Sequence, residues 1–184
     1  CLTTDMRCET AVWLYGPPGG GKSTFIEGLV AVLGDRSAIL NLLQLKSQFG
    51  LCGIVGKTLL QCTEQPAGYI SRTDILNTLI SGEHVQIERK HRDAFPYRPV
   101  AKVIWAMNER PSVPGSSSGL YRRVKIVEVR SVPVEQRDKD LKNRIKAEAT
   151  GVLNWMLEGL QRLRANGMRF TEVDMIEQAS REFE

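Results

Sequence analysis

The sequence predicts an α/β domain with a mostly parallel sheet flanked by helices and a helical segment at its C-terminal end. Three observations carry this. Short apolar runs alternate with segments of helical periodicity, as in a sheet built from crossover connections. A glycine-rich turn, "GPPGGGKST", joins the first apolar run to the first helix. From Val134 onward the strand-like runs stop and only helical spacing remains.

Taken in order, Ala11–Tyr15 is a short apolar run that ends at Gly16, as a buried parallel strand would. Lys22–Leu33 has helical spacing, with Phe25, Ile26, Leu29, Val30 and Leu33 on its apolar side and Gly34 as its stop. Ala38–Leu45 fits either a strand or a strand–helix junction. Lys57–Thr63 is a core strand ending at Glu64, and Asp74–Ser81 a short helix with Thr73 as cap and Gly82 as terminator. Val85 and Ile87 alternate with polar residues and lead into the charged tip Arg89, Lys90, His91 and Arg92, with Phe95 and Tyr97 beyond it. Val100–Met107 is a strand closed by Asn108, Pro111–Gly119 ("PSVPGSSSG") a loop, and Val124–Val129 the last strand. Leu141, Ile145, Val152, Leu153, Met156 and Leu160 recur at helical spacing and predict two or three helices packed through that stripe. Trp105 and Trp155 both sit in apolar runs and are expected in the core. The organisation expected is therefore a core over residues 1–130 and a helical segment over 131–184 of the same domain.

Composition narrows the classes. The 184 residues are 42% hydrophobic and 25% charged, which is ordinary for a globular domain and excludes a disordered chain. No apolar run approaches the roughly 18 residues of a membrane span. The start, "CLTTDMRCET", has neither an initiator Met nor a basic-then-apolar leader, which predicts a piece of a longer polypeptide. A net charge of +4 permits nucleic acid as a partner without requiring it. Cys1, Cys8, Cys52 and Cys62 form no metal-ligand spacing and fit reduced thiols in a cytoplasmic setting.

The chemistry is concentrated in Gly16–Ser23, a Gly-x-x-x-x-Gly-Lys-Ser pattern. Strand, glycine loop and helix N-terminus together converge backbone N–H groups on phosphate oxygens. Gly16, Pro17, Pro18, Gly19, Gly20, Gly21, Lys22, Ser23 and Thr24 are the candidate nucleotide-binding residues, for ATP with Mg²⁺. Lys22 reaches the β and γ phosphates, and the Ser23 hydroxyl holds the metal. Glu64, at a strand end, is the candidate acid for metal and water, although a lone Glu there also suits a solvated strand terminus. Asn108 can contact the γ phosphate or orient water, and Arg122 or Arg123 can reach a neighbour's triphosphate, or simply flank a strand and pair with acids. The tip around Lys90 suits a phosphate backbone, but Glu88 and Asp93 equally allow a salt-bridged, solvated hairpin.

The order "GPPGGGKST", "LLQCTE", "LISGEHVQIERKHRDAF", "VIWAMNERP", "GLYRRVKIVEV" resembles the superfamily 3 replicative helicases, most closely the helicase part of phage and plasmid primase–helicases. "IKAEATGVLNWMLEGLQRL" is similar to the helices that follow the ATPase core there, so the resemblance runs from about Leu2 to about Arg164. It implies an AAA+-like P-loop NTPase fold, a homo-hexameric ring and 3′ to 5′ movement on single-stranded DNA, with a primase domain possible upstream. By the same resemblance Glu64 is the acid of the second motif and Asn108 the polar sensor. Lys90 and His91, flanked by Arg89 and Arg92, form the DNA-gripping hairpin tip, and Arg123 is the trans-acting finger with Arg122 close behind. Two departures stand out: Thr63 where an Asp would strengthen metal binding, and Asn77 where many relatives have Lys. A small P-loop kinase and an ATP-dependent assembly module without catalysis are the competing functions.

Overall fold

The computed structural model describes residues 1–42, 45, 47, 49–63, 70, 73–113 and 118–183. Among these, five strands form a wholly parallel sheet in the order β2-β3-β6-β1-β7: β1 Ala11–Tyr15, β2 Ser37–Ile39, β3 Leu59–Cys62, β6 Lys102–Met107 and β7 Val124–Glu128. The remaining two strands, β4 Val85–Arg89 and β5 Arg92–Tyr97, make an antiparallel hairpin between helix α2 (Thr73–Ser81) and β6.

The sheet is buried on both faces because alternate residues of each central strand are apolar in opposite directions. On one face Trp13, Leu60, Cys62, Val103, Trp105, Met107, Val124 and Ile126 pack with Leu76, Leu79 and Ile80 of α2 and Ile87 of the hairpin. On the other, Leu14, Leu59, Ile104 and Ala106 pack with Ile26, Leu29 and Leu33 of α1 (Lys22–Leu33). Trp13 and Trp105 meet edge to face at 5.2 Å between ring centres. Helix α1 has the limits its sequence predicts, because Gly21 and Gly34, at φ 79° and 51°, take backbone conformations that side chains disfavour and so punctuate it.

Among the described residues, a 3₁₀ turn, Val134–Gln136, and three α-helices follow β7: α4 Leu141–Ala147, α5 Ala149–Ala165 and α6 Asp174–Arg181. Helices α4 and α5 lie against α1, where Lys142 pairs with Glu27 at 2.6 Å and Ile145 reaches Gly28. Helix α6 covers the outer edge of β7, its Ser180 Oγ accepting the Ile126 N–H at 3.0 Å, so the edge strand is not left bare.

Several local expectations change. Thr73 is the first residue of α2 rather than its cap. Ala38–Leu45 holds the end of β2, Ser37–Ile39, and then leaves the sheet at buried Leu40. Ser118 and Gly119, expected in the loop, open a one-turn helix α3, Ser118–Tyr121, because buried Leu120 pins that turn to the core. Phe25, expected on the buried side of α1, is 42% exposed. Trp155 is not core: it is 53% exposed and meets Phe25 edge-on at 6.0 Å. None of the residues of α5 is buried. Its apolar stripe instead walls a cavity of about 800 Å³ beside Val12, Ile104 and Leu29.

Candidate nucleotide-binding site

Strand β1 lies between β6 and β7, yet the chain leaves it through α1 for β2 at the far edge. Such a switch point opens a crevice at the carboxyl ends of the strands, and Gly16–Ser23 occupies it. Register pairs Tyr15 with Met107 on one side and with Glu128 on the other. The loop therefore begins beside the ends of both neighbours, and the Gly16 N–H donates to the Met107 carbonyl at 3.3 Å.

Glycine is required in the loop for separable reasons. Gly16, Gly19 and Gly21 have φ of 147°, 80° and 79°, which a Cβ makes costly. A Cβ on Gly16 would lie 2.1 Å from the Val129 carbonyl oxygen, and one on Gly20 2.9 Å from Val129 Cγ2. At Gly21 such an atom would meet nothing within 4 Å, so the loop is open on that side. Helix α1 begins there with no side-chain cap and no acidic residue in its first turn. Its first N–H groups and dipole are left for an anion. Lys22 is buried, with Nζ donating to the carbonyls of Gly16 at 2.5 Å and Pro17 at 2.8 Å, and burial lowers its pKa. Pro17 and Pro18 are exposed, while Ser23 and Thr24 are half-buried in the first turn. The glycines, an uncapped helix end and a buried ammonium together fit a polyphosphate.

Asn108 is exposed immediately after β6, one residue past the Met107–Tyr15 pairing, and thus flanks the start of the loop. Glu64 lies outside the described residues. A residue the sequence did not point to, Arg110, sits over the Tyr15 ring at 5.0 Å and bonds Glu128 at 3.1 Å. Its only sequence signal is its place two residues after Asn108.

A second feature invisible in the sequence is a strap formed by residues 129–137. The Val129 N–H donates to the Tyr15 carbonyl at 2.8 Å and the Val132 N–H to Gly19 at 3.2 Å. The start of the predicted C-terminal helical segment thus runs across the glycine loop.

The remaining candidates lie elsewhere. The Arg123 guanidinium, with only 12% of its side chain exposed, bonds Glu9 at 2.9 Å, Ser81 at 2.9 Å and the Gly119 carbonyl at 2.8 Å of its own chain. Arg122 is exposed. In the hairpin, Arg89 pairs with Arg92 across a two-residue turn of Lys90 and His91, with His91 at φ 58°. Lys90, His91 and Arg92 are exposed, and among the described residues none pairs with Glu88 or Asp93. Arg89 instead lies over the Phe95 ring at 5.0 Å, and Phe95 and Tyr97 pack at the hairpin base. Chain direction places that base near the start of β6, the sheet end opposite the glycine loop. Among the described residues no His, Cys, Asp or Glu cluster could hold a metal, and all four cysteines are free.

Residues 14–123 match the model of DUF5906, a family of unknown function. The chain belongs to this family. The DUF5906 match begins at Leu14, near the end of β1, covers the glycine loop, the hairpin and β6, and ends at Arg123. No curated protein matches. Among solved structures, this DUF5906 chain is similar to the C-terminal region of NrS-1, with TM-score 0.65 and 22% identity over 79% of this chain and 36% of that one. A second NrS-1 structure gives TM-score 0.64 and 23% identity over the same shares. JCV helicase, solved with a thiazolopyridine-phenoxyphenyl acetamide bound, gives TM-score 0.52 and 18% identity over 96% of this chain and 52% of that one. At these identities the likeness is one of fold alone. The chain spans about a third of the NrS-1 region and half of the JCV protein. No described helix is long and apolar enough to cross a membrane.

Proposed function

We propose that this domain binds ATP at Gly16–Thr24 and hydrolyses it to drive movement on single-stranded DNA, as the helicase part of a replicative assembly. The observation that carries this is the glycine loop, set at the switch point beside Asn108 and open at Gly21, in a domain whose cationic hairpin projects from the other end of the sheet. A kinase has no need of that hairpin. The helicase named among the similar folds supports the same reading.

The loop N–H groups and Lys22 bind the polyphosphate, and Asn108 orients the attacking water or the γ phosphate. Ser23 and Glu64 are the residues that would hold Mg²⁺, which supplies charge neutralisation when bound. Lys90, His91, Arg89 and Arg92 track the DNA backbone through charge. In a homo-hexameric ring the site is completed by an arginine of the adjacent copy. Arg122 suits that role better than Arg123, which must first leave Glu9 and Ser81. Superfamily 3 membership, 3′ to 5′ polarity and an upstream primase domain are parts of the same proposal.

The test is ATP turnover with Mg²⁺, with and without single-stranded DNA, followed by unwinding of 3′-tailed and 5′-tailed forks by the longer protein. DNA-stimulated hydrolysis abolished by Lys22→Ala is expected, with unwinding from the 3′ tail. Stimulation by a small acceptor instead would establish a kinase, and binding without turnover an assembly module.

A further inference from the structure

The cations around the glycine loop are not alike. Arg144 pairs with Asp138 and Arg110 with Glu128. Arg137 pairs with no described carboxylate. Its Nε donates to the Val132 carbonyl at 2.8 Å, and its terminal nitrogens have no hydrogen-bond partner among the described residues. Yet its guanidinium lies directly against the loop: a Cβ on Gly19 would fall 2.3 Å from Nη2 and 2.6 Å from Cζ. The Val132 N–H holds the Gly19 carbonyl, so one residue of the strap ties both the loop and the arginine.

We propose that Arg137 belongs to the nucleotide site and contacts the polyphosphate in cis, from the strap of its own chain. The inference rests on the proposal that Gly16–Ser23 binds ATP. An exposed guanidinium without an acid is ordinarily left to water. Here it is held by a backbone acceptor against the one loop whose composition favours an anion, leaving a planar fork that matches phosphate oxygens. Gly19 then has two reasons to be glycine, its φ of 80° and the room it leaves for Arg137. The arrangement also links the nucleotide to the helices beyond the strap, since residues 129–137 lead directly into α4, which packs on α1.

Calorimetric titration of ATP with Mg²⁺ into the full chain and into Arg137→Ala, Arg137→Gln, Arg137→Lys and Lys22→Ala tests this. Losing a charge-assisted contact predicts about 10- to 100-fold weaker ATP binding in Arg137→Ala. Part of that loss should return in Arg137→Lys and none in Arg137→Gln, with melting temperatures unchanged. Wild-type affinity in Arg137→Ala overturns the proposal. So does full recovery by Arg137→Gln, which keeps bulk without charge and would mark a packing latch. If the unsubstituted chain binds no ATP, or Lys22→Ala binds as well as it does, the nucleotide reading itself fails, independently of Arg137.

Discussion

Replacing Gly16 and Gly21 by alanine separates the two reasons for glycine in the phosphate loop. At Gly16 the new Cβ would lie 2.1 Å from the Val129 carbonyl oxygen and 3.1 Å from Val129 Cγ2. That carbonyl cannot retreat freely, because the N–H of the same residue bonds Tyr15 at 2.8 Å, at the end of the β1–β7 pairing. The substitution therefore adds backbone strain at φ 147°, about 1–3 kcal/mol, to a steric displacement of about 1–3 kcal/mol. At Gly21 the φ of 79° remains but the Cβ enters open space, so only about 1–2 kcal/mol is expected. With a shift of about 2–4 °C per kcal/mol at this size, Gly16→Ala should melt roughly 5–20 °C lower and Gly21→Ala roughly 2–8 °C lower. Circular dichroism melts measure this, and calorimetry with ATP completes it. Gly21→Ala should lose ATP binding while staying folded, because its methyl occupies the open side of the loop. Equal melting shifts in the two variants would refute the argument that Val129 demands glycine at position 16.

The arginine pair makes a second contrast. Arg123→Ala should cost about 1–3 kcal/mol by stranding Glu9, Ser81 and the Gly119 carbonyl, whereas Arg122→Ala should leave urea denaturation unchanged and lower ATPase activity only in assembled protein. In the hairpin, Lys90→Ala should weaken single-stranded DNA binding and reduce its salt dependence by about one phosphate contact, with melting temperature and ATP affinity unaltered. A third check uses intrinsic fluorescence. Trp13 and Trp105 are buried and Trp155 is not, so Trp155→Phe should remove nearly all acrylamide-quenchable tryptophan emission.

Much of the fold was legible because its signals are local. The run Ala11–Tyr15, the glycines around Lys22–Leu33 and the apolar run in Lys102–Met107 each specify an element from within, and the sheet then follows from parallel crossovers. Trp155 failed because apolar periodicity marks a face without saying what covers it; α5 turns that face toward a cavity. Arg123 shows the same limit for charge. Its sequence position, before a strand and after a Ser-rich stretch, is equally that of a finger or of a clamp. Which it is depends on Glu9 and Ser81, 114 and 42 residues away.

The sequence by itself determined the phosphate loop, its strand and helix, the hairpin with its cationic tip, and membership of an α/β class. These depend on backbone conformations and periodicities that neighbouring residues impose. Tertiary structure alone decided that Arg123 is held within its own chain, that Trp155 lines an open cavity rather than the core, and that residues 129–137 cross the loop to bring Arg137 against Gly19. Contacts across more than a hundred residues leave no periodic trace, because the partners are set by how the sheet and its covering helices pack.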